Sequence, residues 1–314
     1  MRELKGKKVL VTGGAGFIGS HIVDRLLDIG AQITVVDNLS TGKLENIAHN
    51  LDKIKFIQKD FTDNDLLENV LGEVEFISHQ AALRSVPKSM KNPLEYHQIN
   101  VTGTLKLLLK AKEKGVQRVA IASSSSVYGE RHDFPEKESD LPVPISPYAA
   151  TKLMTEYYAY LFSKSYGLEV VSLRYFNVFG PRQSLDDEYA VVIPKFINSI
   201  FNNKRPPIYG DGEQERDFAY IDDVAKANIA ALMAEGIGGQ VFNVAGGNPQ
   251  SVNSLFKALK EIIAKNVEPE YLEPRLGDVR KTHADIEKTK KLLDWQPEID
   301  FYEGLKRTVE GYGK

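Results

Sequence analysis

The sequence predicts an α/β protein, a doubly wound parallel sheet with a smaller α/β substrate-binding lobe. Three observations carry that expectation. Short apolar runs alternate with helical patterns over the first 180 residues, a glycine-rich turn follows the first run, and the alternation breaks after Gly180. Strands joined by helices imply a parallel sheet covered on both faces.

Taken in order, residues 8–11 are a compact apolar strand, and residues 17–27 carry apolar side chains at helical spacing. Residues 32–36 form a second buried strand ending at Asp37, residues 55–57 a third and residues 74–77 a fourth. Pro93 suits the first turn of a helix that reaches about Lys114. A strand over 118–122, a helix over 147–165 and a strand over 169–174 follow. Beyond Gly180 the chain is richer in glycine, proline and acids, and residues 269–274, bounded by Pro269 and Pro274, read as a loop. Residues 1–180 are thus expected to be mainly nucleotide-binding and residues 181–314 mainly a substrate lobe, with residues near 240–245 returning to the large sheet.

Composition excludes several classes of function. The 314 residues carry 40 Lys and Arg against 43 Asp and Glu, interspersed, with no basic stripe for nucleic acid. There is no cysteine, which removes disulfides, thiolate metal sites and cysteine nucleophiles. The six histidines show no i,i+4 pairing, so no metal site is expected. His79 is expected to pack beside a cofactor, Lys288, Lys290 and Lys291 to form a solvated helix face, and Trp295 to lie in the core. No apolar run approaches the roughly 18 residues of a membrane span. The opening residues lack the apolar stretch of a secretory signal, so a cytoplasmic protein without a membrane partner is the expectation.

Thr12-Gly13-Gly14-Ala15-Gly16-Phe17-Ile18-Gly19 links the first strand to the first helix. Gly13 allows a sharp turn, Gly16 lets backbone approach a pyrophosphate, and Gly19 lets the helix pack close to the sheet. The helix N-terminus then offers free N–H groups and partial positive charge to phosphates. Asp37 ends the second strand, where a carboxylate can bond both ribose hydroxyls and repel a 2′-phosphate, which favours NAD over NADP. Asn38, Ser40 and Thr41 add short polar groups beside it. Asp60, at the end of the third strand, either contacts adenine or caps the helix that follows.

Tyr148 and Lys152 stand four residues apart, on one face of their helix. A phenol with an ordinary pKa near 10 is too weakly acidic to serve as a base at neutral pH, but a nearby ammonium favours the phenolate. Ser123 to Ser126 follow an apolar strand, at the sheet edge where open α/β folds bind ligands. Alone, each part reads as an exposed pair or a polar loop. Their order along the chain is far more specific.

With these residues placed, the chain resembles the extended short-chain dehydrogenase/reductase family, in particular its nucleotide-sugar epimerases and dehydratases, nearest to UDP-glucose and UDP-N-acetylglucosamine 4-epimerases. The landmarks span essentially the whole chain: Thr12 to Gly19, Asp37 to Gly42, His79 to Ala82, Ser124 with Val127-Tyr128-Gly129, Tyr148 with Lys152, Arg174 to Asn177, Gly210 to Gly212, Arg216 to Phe218, Gly277 to Val279 and Ala284-Asp285. The resemblance implies a Rossmann-type sheet, bound NAD, a UDP-sugar substrate, and a homodimer built as a four-helix bundle. In that bundle Leu105, Leu108, Leu109, Met154, Tyr157 and Leu161 are candidate seam residues. By the same resemblance Tyr148 is the general base and acid on the sugar O4, Ser124 shares its proton network, and Lys152 holds the nicotinamide ribose. Phe17 and Ile18 lie along the pyrophosphate turn. Gly42 and Phe61 belong to the cofactor side, and Gln80, Ala81, Ala82, Leu83, Asn100 and Phe176 line the nicotinamide. Asn177, Arg216, Arg275 and Asp278 match positions that hold the diphosphate or uridine. Arg84, Ser85, Ser125, Ser126, Val191, Val192, Tyr209 and Thr282 complete the substrate side.

The resemblance also implies which reaction follows. Dehydrating and decarboxylating relatives carry a carboxylate directly before the Val-Tyr-Gly turn, whereas this chain has Ser125-Ser126, and hydroxyls cannot do that acid–base work near neutral pH. C4 epimerisation of a UDP-hexose is therefore the expectation, with UDP-glucuronate 4-epimerase as the runner-up and dehydratase, reductase or catalytically silent NAD sensor as more distant readings. Thr282 aligns where tyrosine restricts relatives to UDP-glucose and UDP-galactose; a small residue there implies room for an N-acetyl group. Ser85-Val86-Pro87 and Tyr189 to Pro194 resemble the same N-acetyl-accepting branch, while Arg84 departs from it and suits a carboxylate instead.

Overall fold

The computed structural model describes residues 2–184, 192–274 and 279–313. The first half runs β1 (Lys8–Thr12), α1 (Phe17–Asp28), β2 (Gln32–Asp37), β3 (Ile54–Gln58), α2 (Asn64–Val70), β4 (Phe76–His79), α3 (Val86–Lys91), α4 (Pro93–Tyr96), α5 (Thr104–Glu113), β5 (Arg118–Ser124), α6 (Pro147–Leu161) and β6 (Glu169–Tyr175). The second half adds β7 (Val178–Phe179), α7 (Val192–Phe201), β8 (Pro207–Tyr209), β9 (Glu215–Arg216), β10 (Ala219–Tyr220), α8 (Ile221–Met233), β11 (Val241–Val244), β12 (Gln250–Ser251), α9 (Val252–Ile263), β13 (Glu270–Leu272), α10 (Glu287–Leu293) and α11 (Phe301–Tyr312).

Seven strands form one sheet in the order β11-β6-β5-β4-β1-β2-β3. Each neighbouring pair is parallel. The strand order reverses between β1 and β4, which opens a crevice at their carboxyl ends. Successive residues along a strand face opposite sides of a sheet, so each run feeds two cores. Val9 and Val11 pack with α1 and α8 on one face. Leu10, Val119 and Ile121 pack with Leu107, Leu108, Ala159 and Phe162 on the other. The α/β doubly wound sheet read from the sequence is what the chain forms.

Several expectations are corrected. The fourth strand begins at Phe76, because residues 71–73 form a short 3-10 turn that places Val74 at its end. The helix opened by Pro93 is interrupted by a π-helical turn, His97–Gly103. Asn100 sits in that turn and spends its side chain on the backbone of Leu83, accepting the Leu83 N–H at 2.8 Å and donating to its carbonyl at 2.9 Å. Residues 269–274 are not wholly loop: Glu270, Tyr271 and Leu272 pair in parallel with Pro207, Ile208 and Tyr209. Three residues between prolines make a strand only because β8 supplies the main-chain partners, and local composition does not show that.

Lys288 is also not simply solvated. Its ammonium donates to the Val241 carbonyl at 2.8 Å and lies 4.9 Å from the centre of the Phe242 ring. Trp295 is buried, and its indole N–H donates to the Asp223 carbonyl. On α5 and α6, Leu108 is buried against the sheet and so is not free to form a seam between subunits, while Leu105 is half-buried on the same core. Leu109, Met154, Tyr157 and Leu161 remain exposed.

Candidate active site

The glycine turn is shaped for a phosphate. Gly13 has a φ of +69°, and a Cβ there would stand 2.7 Å from the Ala81 nitrogen, so only glycine lets the β1 turn approach the β4 turn. Gly16 caps α1 without any side-chain oxygen, and the first turn holds no acid. The leading N–H groups of α1, from Phe17, Ile18 and Gly19, are thus left for an external anion.

At the end of β2, the buried Asp37 carboxylate accepts the N–H of Ala15 at 3.0 Å and of Leu39 at 2.8 Å. Burial pushes its carboxyl up, and these backbone donors oppose that shift. A Cβ at Gly42 would sit 2.9 Å from either Asp37 oxygen, so a side chain there would crowd the carboxylate. Asn38 donates to Asp60 at 2.8 Å and accepts the Ser40 N–H. Thr41 follows in the same exposed loop. Asp60 does not cap α2; Asp63 does, by accepting the Leu66 N–H. Asp60 instead accepts both the N–H and the hydroxyl of Thr62. Phe61 beside it is buried, its ring edge-on to His79. The chemistry of this set, a glycine-lined turn, a bare helix N-terminus and an acid at the next strand end, fits a dinucleotide with a free ribose diol.

Ser124, Tyr148 and Lys152 meet at the carboxyl edge of β5. Ser124 ends the strand, and its hydroxyl oxygen accepts the Ser126 N–H at 3.2 Å and the Ser126 hydroxyl at 2.8 Å. Ser146 caps α6 and Pro147 occupies its first turn, which starts the helix at the right place for Tyr148. The Tyr148 N–H donates to the buried Ser89 hydroxyl at 3.1 Å. Burial pushes the Tyr148 phenol up, while its hydrogen bond with Ser124 and the charge of Arg84 pull it down. Lys152 is buried, 6.0 Å from the Tyr148 ring centre, and donates to the Ala122 carbonyl at 2.7 Å. Burial lowers its ammonium to about 8, against the opposing charge of Glu156.

Beneath this pair lies a network that sequence reading did not single out. Glu156, one helical turn beyond Lys152, accepts the Ser123 hydroxyl at 2.5 Å and two guanidinium bonds from Arg174 at 2.9 and 2.7 Å. Both ionic partners are buried. Arg174 also lies 4.6 Å from the centre of the Tyr128 ring, and the Tyr128 hydroxyl donates to Asn243. The signal was available, since Tyr148, Lys152 and Glu156 repeat at four-residue spacing on one helix face.

His79 is buried at the end of β4. The Thr104 hydroxyl donates to the Asn100 carbonyl, so it accepts from His79 Nε2, and the Thr12 hydroxyl donates to His79 Nδ1. Burial, helped by the charge of Lys152, holds this ring neutral with its pKa lowered to about 3.

Other expected site residues fall in varied surroundings. Ala81, Ala82 and Leu83 are half-buried in the loop after β4. Gln80 spends its amide on Ser78 and Asn228 and accepts from Tyr175. Phe176 is buried in a small core with Tyr128, Ala284 and Ile286, so its ring is a wall rather than an accessible surface. Ser85 caps α3. Arg84 is exposed beside the Tyr148 pocket, and Ser125 is half-buried next to Ser124. Asn177, at a φ of +30°, donates to the Asp217 carbonyl and to the Thr282 hydroxyl, each at 3.1 Å. Tyr209, Arg216 and Val192 are half-buried in the second half of the chain. Val191, Arg275 and Asp278 lie outside the described residues. No cluster of three metal-binding side chains occurs among the described residues, and no helix among them is long and apolar enough to cross a membrane.

Residues 9–245 match the model of the NAD dependent epimerase/dehydratase family. The chain belongs to that family. A UDP-N-acetylglucosamine 4-epimerase from Methanobrevibacter ruminantium, solved in complex with UDP-N-acetylmuramic acid, superposes at a TM-score of 0.94 with 45% identity, covering 98% of each chain. A UDP-glucose 4-epimerase from Thermotoga maritima, solved with UDP-glucose, superposes at 0.93 with 41% identity over 98% of each chain. A UDP-glucuronate 4-epimerase of Thermodesulfobacterium geofontis is 40% identical over 96% of this chain and 94% of that one. As a member of this family the protein is an NAD-dependent enzyme.

Lys152 offers a test that separates chemistry from fold. A lysine whose pKa is lowered by burial costs stability below pH 8, and the cost fades as pH rises towards its ordinary value near 10.4. Lys152→Met is expected to stabilise the NAD-free protein at pH 7 by about 1–2 kcal/mol, net of the lost bond to Ala122. The gain should shrink at pH 10, and turnover should be abolished. Urea denaturation at both pH values checks this; a destabilised variant at pH 7 would contradict it.

Proposed function

We propose that this enzyme reversibly inverts C4 of a UDP-hexose, taking UDP-N-acetylglucosamine and its galacto epimer alongside the non-acetylated pair. The observation that carries the reading is Ser124, Tyr148 and Lys152 gathered at one strand end, with the hydroxyls of Ser125 and Ser126 where acid–base carboxylates would serve dehydration.

The Gly13–Gly19 turn and Asp37 would hold NAD, which when bound would supply the hydride acceptor and donor for C4. The chain's own residues move the proton. Tyr148 takes the O4 proton as C4 is oxidised and gives it back after the 4-keto sugar has turned over. Ser124 hydrogen-bonds the same hydroxyl network, and the ammonium of Lys152 offsets the charge on the phenolate. No net oxidation results, so the cofactor stays bound and no further catalytic group is needed.

Relatives named for three different UDP-sugars leave the sugar to be read from this chain's own pocket. Thr282 is small where a bulky phenol would fill the space beside C2. Arg84, whose charge reaches Tyr148, supports a second reading in which a uronate is the substrate. We also propose a homodimer joined through α5 and α6, because Leu109, Met154, Tyr157 and Leu161 are exposed on adjoining helices.

Incubation with UDP-glucose, UDP-N-acetylglucosamine and UDP-glucuronate, followed by separation of the C4 epimers, tests the assignment. Conversion of both neutral sugars is expected, and Tyr148→Phe should lower turnover at least about a hundredfold while NAD is retained. Near wild-type rates in that variant would remove Tyr148 from the mechanism. Thr282→Tyr should suppress the acetylated substrate much more than UDP-glucose; equal loss of both would defeat the size argument. Light scattering at micromolar protein should give twice the chain mass, and a monomer would refute the bundle.

A further inference from the structure

Asp217 is fully buried, with each of its polar groups engaged by a residue distant along the chain. Its carboxylate accepts the Gly247 N–H at 2.9 Å and the Ala284 N–H at 3.0 Å. Its own N–H donates to the Thr282 hydroxyl at 3.1 Å, and its carbonyl accepts from the Asn177 side chain. The Thr282 hydroxyl therefore accepts twice, from Asn177 and from Asp217.

These contacts join three segments that leave the sheet separately. Asn177 follows β6, Gly247 follows β11, and residues 282–284 follow the lobe strand β13. Glu136 acts on the same stretch, accepting the His283 N–H at 3.2 Å. Burial raises the Asp217 carboxyl to about 6, against its backbone donors, so an ionised acid here is held at a cost that packing alone does not require. An apolar residue would fill the volume but could not accept two N–H groups.

We infer that Asp217 is a positioning residue for substrate, fixing Asn177 and Thr282 at the sugar and diphosphate end of the pocket. This rests on the reading of Asn177 and Thr282 as substrate-side groups. It does not depend on which sugar is turned over. Losing one carboxylate acceptor should release the Ala284 or Gly247 N–H and so loosen residues 282–284, whose Thr282 hydroxyl accepts from Asn177, weakening binding without touching Ser124, Tyr148 or Lys152.

The test uses the full NAD-loaded protein and UDP itself as the probe. Asp217→Asn keeps shape and one acceptor. By calorimetry its UDP dissociation constant should rise about tenfold, with KM for UDP-hexose rising in parallel and kcat within about threefold of wild type. Thermal midpoint and retained NAD should change little. Unchanged UDP affinity in the folded variant would overturn the inference, as would a loss no larger than the unfolded fraction. If Asp217→Asn does not fold, Thr282→Val and Thr282→Ser decide: serine keeps the acceptor and should bind UDP normally, and valine should not. Valine binding UDP as tightly as wild type would overturn the proposal. A wild-type protein that binds UDP but epimerises nothing would refute the proposed function and leave this inference to stand or fall on UDP affinity.

Discussion

The structure around Ser124, Tyr148 and Lys152 depends on one buried ion pair, Glu156 with Arg174. It ties α6 to β6, and the Ser123 hydroxyl on the same carboxylate ties α6 to β5. Tyr148 and Lys152 ride on α6, and Ser124 on β5, so the three side chains share a register set from below. A slip of one residue would leave both charges buried and unpaired, at a cost of about 3–5 kcal/mol. Few contacts between a helix and a sheet discriminate register so sharply. Apolar packing tolerates small slides that would separate Tyr148 from Ser124.

The same network sets the charges. Lys152 is buried, which would discharge it, and Glu156 one turn away opposes that. The imidazole of His79, bonded to two threonine hydroxyls, is kept neutral by burial and by the charge of Lys152 and adds no competing charge. The phenol of Tyr148 thus faces an ammonium whose protonation is supported from behind. Burial alone would hold the phenol far from useful basicity; its hydrogen bond with Ser124 and the charge of Arg84 act against that burial.

Much of this was legible in the sequence because period and spacing report local structure directly. The alternation of apolar runs with helical patterns marks the parallel sheet, and the glycine spacing with Asp37 marks the turn and its acid. What failed depended on partners distant along the chain. The strand Glu270–Leu272 exists through β8, and the π-helical turn at Asn100 accompanies that side chain's bonds to Leu83. Asp60 and Asp63 look alike as helix caps in sequence, and only backbone direction decides that Asp63 does the capping. Asp217 was visible as a landmark, yet nothing local shows that it gathers residues 177, 247 and 284.

The central claim is that this registered set inverts C4 with nothing gained or lost from solvent. The most direct measurement follows deuterium from the C4 position of a labelled UDP-hexose in the presence of an unlabelled one. The account predicts that the label is found at C4 of the epimer, in the molecule that carried it, with no exchange into water. Label lost to solvent, or carried across to the unlabelled sugar, would contradict it.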